Sequence, residues 1–178
     1  MIAGLLALLV LWVVLTYNGF VKSRNKVDES WSGVDVQLMR RHDLVPNLVE
    51  TVKAYAAHER TTLGEVTQAR TAAIGAADGA GRADAESRLT SALQGIRVVA
   101  EQYPELRASE NFRSLQGQLT DLEDQIQASR RIYNANVNAY NTRIQMFPAS
   151  IVAGRSFTTR ELFQLDSPDK RAVPALSF

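Results

Sequence analysis

The stretch Ile2 to Leu15 (IAGLLALLVLWVVL) is unbroken apolar sequence, and Thr16, Tyr17, Asn18, Gly19, Phe20 and Val21 extend it without charge to the first cation, Lys22. A helix of about 20 residues rises about 30 Å, the thickness of a bilayer's hydrocarbon core. Ten of the residues from Ile2 to Leu15 are Leu, Ile or Val. At about −0.3 to −0.6 kcal/mol each near the bilayer centre, they favour insertion by about 3–6 kcal/mol. A core helix of a soluble protein would present a polar face, and this run has none. A signal peptide would need a basic n-region and a small-x-small cleavage site. No side-chain cation precedes the run, and Thr16-Tyr17-Asn18-Gly19-Phe20 is a poor cleavage sequence. Residues 1–21 are therefore expected to be an uncleaved single transmembrane helix.

Flanking residues predict its placement. The amphipathic ring of Tyr17 suits the interfacial belt, whereas Trp12 lies too deep for it. Lys22, Arg24 and Lys26 follow the span directly. Under the positive-inside rule they leave the short N-terminus outside and the body in the cytoplasm, against the inner membrane of the cell. Tyr17, Lys22, Arg24 and Lys26 are the candidate membrane-interface residues, and the lipid bilayer is the first expected partner.

Beyond the span, 157 of the 178 residues remain, enough for one domain and too few for two ordinary ones. The net charge of +1 and pI near 8.1 argue against a nucleic-acid partner, which would call for a basic excess or patch. With no Cys, disulfides, thiolate metal sites and Cys nucleophiles are excluded.

The spacing of apolar residues predicts an all-α, elongated, antiparallel four-helix bundle of coiled-coil character over 22–147. Val27, Trp31, Val34 and Leu38 form the first stripe. It lapses at Arg40-Arg41-His42-Asp43, and Pro46 cannot continue a helix without losing a backbone bond, so a bend is expected at Asp43 to Pro46. A second helix carries Leu48, Val52, Tyr55, Leu63 and Val66, extends through Ala69 and Ala73, and ends in the glycine-rich loop Gly75 to Gly81. A third carries Leu89, Leu93, Ile96 and Tyr103 up to Pro104, and Ser109 can cap a fourth. That fourth helix keeps a step of three or four from Phe112 to Phe147. No β-type alternation bounded by hairpin turns occurs. Residues 148–178 lack periodicity but hold Ile151, Val152, Phe157, Leu162 and Phe163, so this irregular tail is expected to pack on the bundle or a neighbouring subunit.

Chemistry-bearing motifs are scarce. His42 and His58 do not form the two-His helical zinc pattern, and both read as exposed or bend-packed. Asp121, Glu123 and Asp124 flank Leu122 and read as a solvated face. No phosphate loop and no Gly-x-Ser-x-Gly elbow are present. No catalytic, metal or cofactor residue is assigned, and no cofactor is expected. Ser129, Tyr133, Asn136 and Tyr140 occupy positions of the fourth stripe. Buried amides and phenols need hydrogen-bond partners, so these four are candidates for fixing bundle register and partner choice.

Several segments together resemble the LemA family of bacterial membrane proteins. They are the N-terminal span, Arg24-Asn25-Lys26-Val27, Trp31-Ser32, Asp35-Val36-Gln37-Leu38 with Arg40-Arg41, and Asp43 to Lys53 (DLVPNLVETVK). Further on come Glu101-Gln102-Tyr103-Pro104, Ala128 to Asn134 (ASRRIYN), Tyr140-Asn141 and Phe147-Pro148. The resemblance implies one span and an antiparallel helical body, and it supplies no catalytic residues. A relative of the family among magnetosome membrane proteins points, by association, to membrane organisation.

The expected function is a non-enzymatic, membrane-anchored scaffold that forms homo-oligomers, since confinement to a membrane raises effective concentration. The alternative is a tethered adaptor docking an unidentified protein partner through its bundle face or tail.

Overall fold

The computed structural model describes residues 2–77 and 79–164. Six helices follow one another: α1 Ile2–Tyr55, α2 Arg60–Gly75, α3 Ala80–Gln102, α4 Pro104–Ala108, α5 Glu110–Gln145 and α6 Ala149–Ala153. No strand occurs among the described residues. The fold is all-α, as expected: a long apolar first helix, a candidate membrane span, leads into a helical bundle. Asp78 and the tail from residue 165 onward, including Pro168 and Pro174, lie outside the described residues.

The chain forms two compact units, one comprising residues up to Val36 with Gln127–Leu162, the other built on Gln37–Ile126. The second unit is a four-helix core. Val45, Leu48 and Val52 of α1 pack with Leu63 and Val66 of α2, Leu89, Ile96 and Val99 of α3, and Phe112 of α5. Each such side chain, fully buried, contributes about 1.5–3 kcal/mol. The short α4 begins with Pro104 in its first turn, where the missing amide costs nothing, and it drops Leu106 into this core. The amide of Phe112 meets Ser109 Oγ at 3.5 Å, so Ser109 stands at the head of α5 as expected.

One expected break differs. The helix does not end at Asp43–Pro46: α1 runs through Pro46 to Tyr55. Pro46 has no N–H for the His42 carbonyl four residues back, and Arg70 Nε of α2 supplies that hydrogen bond at 2.8 Å. With the orphan satisfied from outside, the helix has no need to end. The break comes later, at Ala56–Glu59. Ala56, rather than Tyr55, is the buried residue at the end of α1, while Tyr55 is exposed. The Glu59 amide turns back to the Ala56 carbonyl at 3.1 Å, and Tyr103 Oη donates to the Glu59 carboxylate at 3.0 Å. Glu59, the weak point in the apolar stripe, is thus held at the turn by a hydrogen bond rather than buried in a helix.

The other unit pairs the first part of α1 with the second part of α5. Its core holds Phe20 and Val27 of α1, Val137, Tyr140 and Ile144 of α5, and Ala153 and Phe157 from α6 and beyond. Trp31 stacks on Tyr133 at 5.2 Å, while Arg143 reaches Gly19, so the two helices run antiparallel. Phe147, expected at the end of the stripe, is 80% exposed, because α5 stops at Gln145 and the chain turns away.

Candidate functional site

Around the end of the apolar run, residues from α1, α5 and the segment after α6 converge. Phe157 is the centre. Tyr17 meets its ring edge-on at 5.3 Å, Phe20 packs at 5.2 Å, and the Arg24 guanidinium lies 5.7 Å from its centroid. A cation over an aromatic face is attracted by the ring quadrupole. Arg143 of α5 sits over Phe20 at 5.8 Å and donates to Gly19 O and Ser23 Oγ, both at 3.1 Å. A Cβ at Gly19 would meet the Arg143 guanidinium, so any larger residue there would require that flexible side chain to shift. Lys22 and Lys26 are exposed. The expected interface residues Tyr17, Lys22, Arg24 and Lys26 therefore lie along α1 just past the apolar run, with Tyr17 and Arg24 sharing Phe157. The structure adds Arg143, which is remote in sequence and carries no local signal. Arg24 and Arg143 thus lie over the rings of Phe157 and Phe20, with Lys22 and Lys26 exposed on the same stretch of α1.

The register candidates are arranged differently from expectation. Ser129 and Asn136 are only half-buried, and the fully buried position is Val137, one residue on from Asn136. Tyr133 and Tyr140 point their hydroxyls at the chain after α6. Tyr133 Oη donates to the Glu161 carbonyl at 3.0 Å, and Tyr140 Oη to the Thr158 carbonyl at 3.1 Å. Asn141 completes the strap: its Nδ2 donates to the Arg160 carbonyl at 2.8 Å, and its Oδ1 accepts from the Arg160 amide at 2.9 Å. Arg160 in turn pairs with Asp28 at 3.2 Å. The segment from Thr158 to Glu161 is thus tied to α5 through backbone groups that its irregular course leaves open.

In the four-helix unit, the pattern lapse at Arg41-His42 has a different explanation from the expected bend. Arg41 and His42 are 1% and 4% exposed, and the partner of both is the fully buried Glu86 of α3. His42 Nε2 is 2.9 Å from Glu86 Oε1; a carboxylate only accepts, so this nitrogen carries the proton. Arg41 pairs with the other Glu86 oxygen and also donates to Thr90 Oγ1 and Glu123 Oε2, each at 3.0 Å. His42 is therefore a core residue rather than an exposed or bend-packed one, and Glu123 departs from the solvated face expected for it. His58 is exposed. Burial pushes the Glu86 carboxyl upward and is the strongest single influence. The His42 hydrogen bond and the Arg41 and His42 charges together outweigh it and hold Glu86 below the usual carboxylate range. Removing charges from water is costly, and here the cost is offset only because each charge faces another. A signal existed: Glu86 stands three residues before Leu89, and Arg41 and His42 stand three and four after Leu38, all at positions an apolar stripe would use. Among the described residues, no three His, Asp or Glu side chains gather as a metal site would require.

The model of the LemA family matches residues 30–178. The chain is 26% identical over 179 aligned residues to Magnetosome protein MamQ 2 of Paramagnetospirillum magneticum, covering 85% of this chain and 66% of that relative. It is 25% identical over 167 residues to Magnetosome protein MamQ of Magnetospirillum gryphiswaldense, covering 79% and 61%. To Protein LemA of Metamycoplasma hominis it is 25% identical over 137 residues, covering 76% and 63%. The chain thus spans 61–66% of the length of these curated relatives. The Arg41–His42–Glu86 cluster and the tyrosine strap both fall within the matched residues. With a match over most of its length, the chain belongs to the LemA family.

Proposed function

We propose that this chain is a single-pass membrane protein whose helical body self-associates into a scaffold that organises the inner membrane, without itself catalysing a reaction. The observation that carries the proposal is the exposure of the apolar run within α1. Ile2 is 81% exposed, Leu5 71%, Leu8 69% and Leu15 61%. Its most apolar window has a mean hydropathy of 2.1 and is only 6% buried. So much contiguous apolar surface is stable only when something apolar covers it, and the length matches a bilayer. Just beyond the run, the same helix carries Phe20, Val27 and Val34, all of them buried.

Lys22, Arg24 and Lys26 favour a cytoplasmic body under the positive-inside rule. Copies held in one plane meet at high effective concentration, so weak contacts suffice for assembly. Relatives named as magnetosome proteins support a role tied to a membrane structure. The test is graded crosslinking in native membranes, followed by size analysis of the extracted protein. Dimers or larger species at low crosslinker are expected. A strict monomer at every concentration overturns the scaffold, and release by alkaline carbonate overturns the anchor.

A further inference from the structure

We propose that the corner between α5 and α6, formed by Met146, Phe147 and Ile151, seats in the interfacial layer of the bilayer beside the span, giving the body a second membrane contact. The inference rests on the membrane-span reading above and deepens it. Met146 is 59% exposed, Phe147 80% and Ile151 71%. They are large apolar side chains turned outward from a corner whose inward side is packed, with Ala149, Val152 and Ala153 lying against the core.

The height of this corner is fixed by contacts on both sides of it. Tyr133 lies on Trp31 and Arg143 on Gly19 and Ser23. At the common helical rise, that antiparallel register brings the end of α5 at Gln145 level with about Gly19, and Met146 and Phe147 follow at once, beside the uncharged stretch that precedes Lys22. After α6 the chain returns, and Phe157 closes on Tyr17 and Phe20. The corner is therefore held alongside the end of the span, continuous with the surface that the bilayer would cover.

Charge fits the same occupant. Arg143, two residues before the end of α5, Lys22 on α1, and Arg155, two residues after α6, are all exposed. An apolar tip rimmed by Lys and Arg suits acyl chains below and anionic phosphates around them. Arg143 would be drawn to headgroups while Phe147 and Ile151 enter the acyl boundary.

The sequence contains no Cys, so single-cysteine variants can carry one nitroxide label each. Full-length Phe147→Cys, Leu9→Cys and Ala135→Cys would be reconstituted in vesicles of phosphatidylcholine with phosphatidylglycerol. Accessibility to oxygen and to a polar nickel chelate reports depth. At 147 the oxygen-to-nickel ratio should lie severalfold above that at exposed Ala135 and below that at Leu9. If 147 behaves as Ala135 while Leu9 is shielded, the corner is in water and the inference falls, with the span intact. If Leu9 is also aqueous, the span itself fails and the inference with it. If 147 is shielded from both reagents, protein rather than lipid covers the corner, which also overturns the proposal.

Discussion

Arg70 Nε donates at 2.8 Å to the carbonyl oxygen of His42, the acceptor on α1 that Pro46, four residues on, leaves without its helical donor. Arg70→Met strands that carbonyl in the interior and should lower stability by about 1–3 kcal/mol. Pro46→Ala restores a backbone N–H in the helix. The loss on Arg70→Met should therefore shrink in a Pro46→Ala background, a coupling that a double-mutant cycle of urea unfolding measures. Equal losses in both backgrounds would mean that Arg70 acts only through its charge or packing.

Glu86 makes folding sensitive to acid in a definite direction. Its folded-state carboxyl lies below its ordinary value, so the folded form binds the proton less readily than the unfolded one. Its contribution is fully present above that ordinary value and is lost as pH falls through the lower folded value. The facing groups are Arg41 and His42 of α1, with Glu123 of α5 reached through Arg41. Glu86→Ala leaves Arg41 and His42 buried without their counter-ion and should cost about 3–5 kcal/mol. Glu86→Gln should lower stability at neutral pH and flatten the acid limb of the stability curve. An unchanged acid limb in Glu86→Gln would assign the acid sensitivity to other carboxylates.

The apolar run, the stripe of Val27, Val34 and Leu38, the loop beginning at Gly75 and the cap at Ser109 were legible because each depends on neighbours within a turn or two. Pro46 was misread for the opposite reason. Whether a proline ends a helix depends on who satisfies the stranded carbonyl, and Arg70 lies on another helix. Asn136 was placed where Val137 belongs because a stripe alternating threes and fours tolerates a one-residue drift over a long helix. In the candidate site, Tyr17 and Arg24 were visible from their closeness to the span. Their shared ring Phe157, and Arg143 on Gly19, are long-range contacts that no local pattern encodes.

The strap after α6 should respond to α5 in a graded way. Tyr140→Phe removes one donor, to the Thr158 carbonyl, at an expected loss of about 0.5–1.5 kcal/mol. Asn141→Ala removes two bonds, both to Arg160, and should loosen the segment more. Limited proteolysis near Arg155 and Arg160 is expected to quicken from native protein to Tyr140→Phe to Asn141→Ala. If Asn141→Ala is cut no faster than the native chain, the side-chain bonds do not hold the segment.

Two glycine-to-alanine substitutions in the unit around Phe20 and Phe157 should act in opposite directions. Gly154 has φ 49° and ψ −133°, a positive-φ conformation suited to glycine that penalises a Cβ by about 1–3 kcal/mol. The cost is conformational rather than a clash, since the nearest contact to an added Cβ is the Ile151 carbonyl at 3.9 Å. Gly33 lies within α1 with nothing within 4 Å of its Cβ position, and alanine there should add about 0.5–1 kcal/mol by restricting the unfolded chain. The turn at Gly154 is what brings Phe157 back onto Tyr17 and Phe20, so its strain should surface there. Amide exchange over residues 149–160 should quicken in Gly154→Ala and stay unchanged in Gly33→Ala. Equal protection in both variants would show that Phe157 is held by its ring contacts alone, with the turn following rather than directing the chain.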